Sequence, residues 1–340
     1  MGSVINSYLS SRLEVLASRL IRLESLPGII ESDLEQILKR FGCADCDGDT
    51  DTQVFKIHRK LIGKALQDFE ILFRPFTGVE RDLLNFAVHW YELSNLKTLI
   101  RGKFTGKSDI AIENELIDLE SFAVLPLNKL LEADDPLEMM RLLEATPYSS
   151  IVRHARSIYE EEGQNLFSLD AAIDRLFFNG LAQRIRFLEF IDQQQATALF
   201  GSFMDRLNLL WLIRYRFSYN LSPAKSYYLL ATTGKKIHSG NLMQLAKMDS
   251  LAELISHLPK PLNSLLENMS NMTDIENIME HYVLSAAVKT LKYSPSVISR
   301  VFAYILIRES EIQFLHAVIK GKYLGFDESL IRQATGGMQA

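Results

Sequence analysis

One fourteen-residue pattern occurs three times in this chain, and that repetition constrains its fold more than any other feature. Residues 91–104 read YELSNLKTLIRGKF, residues 204–217 MDRLNLLWLIRYRF and residues 310–323 SEIQFLHAVIKGKY. With Glu92, Asp205 and Glu311 in register, Asn95, Asn208 and Phe314 follow three positions on, and Leu96, Leu209 and Leu315 four on. Leu99, Leu212 and Val318 stand at plus seven, and Ile100, Ile213 and Ile319 at plus eight. Plus nine is always basic (Arg101, Arg214, Lys320), as is plus eleven (Lys103, Arg216, Lys322). Plus twelve is always aromatic, as Phe104, Phe217 or Tyr323. The period, near a third of the 340 residues, is too long for a solenoid unit of about 20–50 residues. It predicts three tandem domains, 1–110, 111–225 and 226–340.

Other landmarks keep the same spacing. The stretch DPLEMMRLLEATPYSSIV (135–152) is similar to DSLAELISHLPKPLNSLL (249–266), and more weakly to SDLEQILKRFG (32–42). Asp174 precedes Asp205, and Glu280 precedes Glu311, by the same interval, whereas the first copy slips near Ile57 to Leu61. Leucine outnumbers valine 52 to 12, with only 17 Gly and 9 Pro. Leucine favours helices and β-branched residues favour strands, so the fold class is all-α.

At 100° per residue the acid and the residues four, seven and eleven on fall on one stripe. Glu92 thus shares a stripe with Leu96, Leu99 and Lys103. The apolar FAVHWY ahead of Glu92 places the acid in mid-helix, at least partly buried and needing a partner. Gly102 and Gly321 read as C-terminal caps, a role that Tyr215 cannot take in the second copy. Acids and asparagines of this kind fix how helices meet. The cationic helix ends are either solvated caps or a surface for a partner.

The net charge is -5 with Lys and Arg dispersed, which argues against nucleic acid as partner. No apolar run approaches the roughly 18 residues of a spanning helix, so any membrane role is expected to be peripheral. MGSVINSYLS lacks the apolar stretch of a signal peptide, and Asn6 replaces the Ser or Thr of a myristoylation signal. Cys43 and Cys46 form a C-x-x-C in FGCADCDGDTD (41–51), readable as a redox pair or half a zinc site. Asp45, Asp47, Asp49 and Asp51 hint at calcium, but Thr50 and Lys56 stand where that loop needs Gly and Glu. A polar surface loop is the simpler reading. Gly106-Lys107-Ser108 lacks the earlier glycine of a phosphate loop and follows a helix, and TTGKKIH (232–238) lacks the Ser or Thr. No direct nucleotide binding, cofactor, metal or catalytic residue is expected.

YELSNLKTLIRGK and AYILIRESEIQFLHAVIKGK resemble characteristic segments of the C subunit family of the bacterial and archaeal V/A-type ATPases, counterpart of the d subunit in eukaryotic vacuolar ATPases. YLSSRLEVLASRLIRLESL is similar to that family's arginine-dotted N-terminal helix. The resemblance covers essentially the whole chain. It implies three similar helical bundles in a pseudo-threefold funnel, seated on the membrane c-ring and receiving the central shaft subunits of D and F type. It implies a non-catalytic rotor element on the cytoplasmic face of the membrane, serving H+ or Na+ transport or ATP synthesis. Cys43/Cys46, Tyr215 and Phe314 depart from the pattern. A free helical adaptor would share the repeats, and an all-α metal hydrolase would need a ligand cluster.

Overall fold

The computed structural model describes residues 2–46, 48–161, 163 and 165–336. The fold is all-α, with no strand among the described residues. Each repeat contributes one long acid-bearing helix: Gly78–Phe104 with Glu92, Phe190–Ile213 with Asp205, and Val297–Tyr323 with Glu311. Each also supplies a second long helix: Thr50–Phe73, Leu166–Ile185 and Met272–Tyr293.

The packing crosses the repeats. The Glu92 helix lies on Leu166–Ile185 of the next copy, and the Asp205 helix lies on Met272–Tyr293 of the next. The Glu311 helix, in the last copy, packs on Thr50–Phe73 of the first. The chain accordingly separates into two compact units whose borders differ from the repeat seams. The smaller comprises residues 78–186 and 228–231, and the larger comprises 1–77, 187–227 and 232–340.

In the smaller unit, Leu166–Ile185 packs on Ser149–Glu161 and on the Glu92 helix. Aromatic rings fill the join, with Phe86 against Phe177 at 4.9 Å and Trp90 against Phe178 at 5.1 Å between centroids. Gly180 admits the Phe86 ring, which would lie 3.0 Å from a Cβ there. In the larger unit the Glu311 helix is buried nearly all round, as suits a helix packed on several sides. It touches Met272–Tyr293, Thr50–Phe73, Phe190–Ile213 and the helix Gly2–Ala17.

Gly102 and Gly321 are not the caps their spacing suggests. Both lie inside the last turn, and a Cβ would meet Ile112 at 2.6 Å or Ile331 at 2.8 Å. They are small because short helices, Asp109–Asn114 and Glu328–Ala334, press against them. The left-handed caps come four residues later, at Gly106 (φ 70°) and Gly325 (φ 71°). Lys107 N–H donates to Gly102 O at 2.9 Å and Gly106 N–H to Lys103 O at 3.1 Å, a Schellman closure. Phe326 to Gly321 and Gly325 to Lys322 repeat it. In the second copy the buried Tyr215 fills the glycine's place, and the helix ends in a wide π turn over Arg214–Ser218.

The similar stretches after residues 134 and 249 share one local device, one residue out of the register that their letters suggest. Asp134 N–H donates to Glu138 at 2.8 Å and Glu138 N–H to Asp135 at 2.8 Å. Asp249 N–H donates to Glu253 at 3.0 Å and Glu253 N–H to Ser250 at 3.2 Å. Asp134 therefore corresponds to Asp249.

Candidate functional site: three buried acid latches

Glu92, Asp205 and Glu311 are 1%, 0% and 0% exposed. A buried carboxylate needs several donors, and each acid accepts at least one backbone amide from a loop near the start of another copy, with further donors from side chains. Glu92 Oε1 accepts the amides of Val124 and, at 2.6 Å, Leu125; its Oε2 accepts the Tyr148 hydroxyl. Asp205 Oδ1 accepts the amides of Lys236 at 2.7 Å and Ile237 at 2.8 Å, with the Tyr282 hydroxyl at 3.4 Å from Oδ2. Glu311 Oε1 accepts the amide of Ile21, and its Oε2 accepts Arg308 at 2.7 Å. The last acid thus latches a loop near the chain's start, as the others latch the loop ahead of them.

The asparagines assist unequally. Asn95 grips Ile117 at both ends, donating to its carbonyl at 2.7 Å and accepting its amide at 2.8 Å. Asn208 donates to Ile237 O at 3.2 Å. Phe314, in the third copy, is simply buried. TTGKKIH proves to be the second latch loop. A Cβ on Gly234 would fall 1.9 Å from Ile237 O and 2.8 Å from Asp205 Oδ1, so only glycine permits this approach.

Burial raises the carboxyl of Asp205 above the usual range, against the lowering pull of the Ile237 and Lys236 amides. Burial raises Glu311 too, against the opposing charge of Arg308. Burial pushes the Tyr148 phenol up, and the Glu92 charge adds to the rise. These carboxylates are held as acceptors within the fold, with amides and phenols turned toward them.

The six basic positions are placed differently. Arg101 pairs with Asp170, and Arg214 with Glu276, both on the second helix of the next copy. Lys103 pairs with Asp109 at 2.8 Å. Arg216 is mostly buried and donates to Leu221 O at 2.7 Å and Met248 O at 3.2 Å. Lys320 is exposed and Lys322 half-buried. Asp170 and Glu276 were missed in the sequence, although each stands four residues before Asp174 or Glu280. That spacing was a usable signal.

Cys43 is buried, so it is not part of a purely polar surface loop, and burial pushes its thiol up. Asp45 pairs with Lys60, and Asp49 caps the helix Thr50–Phe73 through the Thr52 amide at 2.9 Å. Asp47 lies outside the described residues. No metal-holding group of three or more His, Cys, Asp or Glu occurs among the described residues.

His58 and His316, both half-buried, pack with ring centroids 4.5 Å apart. Burial, and then the charge of His316, lowers His58 from 6.5 to about 4. Burial, then Lys320, also lowers His316. Histidines depressed in the folded state bind fewer protons than in the unfolded chain, so their contribution to stability is complete above about pH 6.5. It is lost as pH falls from there toward 4, the depressed value of His58. Asp205 and Glu311, being raised, act in the opposite sense. The stability difference between wild type and His58→Gln is therefore expected to shrink on acidification, by at most about 1.4 kcal/mol per pH unit. Urea denaturation between pH 7 and 4.5 measures it; parallel curves for the two proteins would show that His58 is not depressed.

A family model described as ATP synthase (C/AC39) subunit matches residues 9–334, nearly the whole chain. The chain belongs to this family. It is similar to the C subunit of the A-type ATP synthase of Halorubrum lacusprofundi, 27% identical over 289 residues, covering 82% of this chain and 79% of that protein. The protein of the same name in Methanocaldococcus jannaschii is 24% identical over 335 residues, covering 93% and 82%. That of Methanosarcina mazei is 21% identical over 345 residues, covering 97% and 92%. Family membership therefore spans both compact units and all three latches.

Proposed function

We propose that this chain is a non-catalytic central-stalk component of a V/A-type rotary ATPase, joining shaft subunits of D and F type to the membrane c-ring. The observation that carries the reading, beside family membership, is the set of latches. Each copy is tied to the next by a buried carboxylate on a long helix, which gives joints that resist shear. The division into domains 1–110, 111–225 and 226–340, the pseudo-threefold funnel and the seat on the cytoplasmic face belong to the same proposal. Among the described residues no helix is long and apolar enough to cross a membrane, in keeping with a peripheral seat.

Within this reading the basic helix ends serve a surface for the shaft or ring, with the mostly buried Arg216 shaping its helix end from within. Lys320 and Lys322 test that role most cleanly. A tagged chain is expected to bring ATP-hydrolysing head, shaft and c-ring out of detergent-solubilised membranes. Lys320→Glu with Lys322→Glu should weaken that recovery, more so at low ionic strength. Exposed pairs contribute only about 0–1 kcal/mol each, so the loss is partial. Recovery of the chain without any other ATPase component would instead favour a free helical adaptor.

A further inference from the structure

Arg19, Arg22, Lys39, Arg40, Lys64 and Arg308 line one half-open cavity of about 630 Å³ within the larger unit. No carboxylate lines it among the described residues. Six cations in a protein of net charge -5 are an unusual concentration, and low-dielectric walls such as Leu61 and Leu315 strengthen their mutual repulsion. Only Arg308 is offset, by Glu311 at 2.7 Å and Asp68 at 3.9 Å. The other five form no ion pair among the described residues. Lys64 turns instead to the backbone carbonyls of Phe41 and Gly42. The Nε of Arg308 is buried without a hydrogen-bond partner.

We propose that this cavity binds a polyanion carrying two or more phosphate groups. Its volume lies within the roughly 300–1,000 Å³ of small-molecule sites. Guanidinium forks match phosphate oxygens two at a time, and an ammonium adds a point charge. The cations come from four separate segments, at 19–22, 39–40, 64 and 308, that line one cavity, which suits a compact anion better than an extended acidic peptide. Neither the site nor its test depends on the rotary role.

The site is joined to the third latch. Ile21 and Arg308, the two donors to Glu311, both line the cavity. An anion that bridges Arg19 and Arg22 to Arg308 clamps the 18–22 segment onto the Glu311 helix. Binding therefore stabilises the larger unit.

The test uses the full chain with inorganic tripolyphosphate, by titration calorimetry and thermal unfolding at ionic strength held constant with NaCl. One saturable site and a rise in unfolding midpoint are expected. The variant Arg19→Gln, Arg22→Gln, Lys39→Gln removes exposed cations and should bind about tenfold more weakly or worse. Should that variant fold poorly, Lys39→Gln alone should still weaken binding measurably. A second arm uses phosphatidylcholine vesicles with and without phosphatidic acid. Binding only to the phosphatidic acid vesicles, lost in the triple variant, would keep the site and make a lipid headgroup the source of the phosphate. No saturable binding in either arm overturns the proposal, as does unchanged affinity in the variants. Binding of an oligoglutamate peptide in place of tripolyphosphate overturns it too.

Discussion

Replacing Glu92 by alanine is expected to destabilise the unit 78–186 by about 3–5 kcal/mol. The carboxylate serves three donors, the amides of Val124 and Leu125 and the hydroxyl of Tyr148. All three lose their acceptor; the buried Leu125 amide and Tyr148 hydroxyl cost about 1–3 kcal/mol each, and the Val124 amide, on a partly exposed residue, costs less. A cavity adds to this where Glu92 is only 1% exposed. Glu92→Gln keeps a carbonyl oxygen for the amides and should cost on the order of 1–2 kcal/mol. Hydrogen exchange at Val124 and Leu125 reads the effect locally, and urea denaturation reads it for the unit. Protection at these two amides equal to wild type in Glu92→Ala would show that the latch does not hold the loop.

Loss of the whole chain should leave ATP hydrolysis in place and abolish ATP-driven ion uptake. Under the proposed role, hydrolysis belongs to the head and ion movement to the ring, and this chain is the link that carries torque. Membrane vesicles from a deletion strain should take up ions at background rate on addition of ATP, while the soluble head retains its ATPase activity. Wild-type uptake by the deletion vesicles would remove the chain from the coupling path. The two readouts are made on the same strain, so a failure of expression of the head is seen directly.

The fold class was legible because leucine so exceeds valine, and the repeat was legible because each acid recurs on the same apolar stripe. What each acid binds was not legible. Its partners are backbone amides at Leu125, Ile237 and Ile21, and an amide carries no residue-type signal. Gly234 was the one trace, and it stood in a stretch that otherwise invites comparison with a phosphate loop. Gly102 and Gly321 were misread because a glycine near a helix end serves equally as a cap or as room for a neighbour. Ile112 and Ile331, ten residues further on, decide between the two only once the chain has turned back. The pairing of Arg101 with Asp170 and of Arg214 with Glu276 was within reach of the repeat spacing.

The third latch joins residues 290 positions apart, and this sets the order in which a growing chain can become complete. A ribosome releases the smaller unit's residues 78–186 as one continuous stretch, able to pack while synthesis continues. The larger unit must wait. Its first helix, with Leu9, Leu13 and Leu16 buried, packs on both Thr50–Phe73 and Val297–Tyr323, so its seat is complete only when the latter emerges. A message cut short before Glu311 thus yields a product whose early apolar face stays partly open to proteases and chaperones. Interrupted copies are marked for removal by their own missing centre.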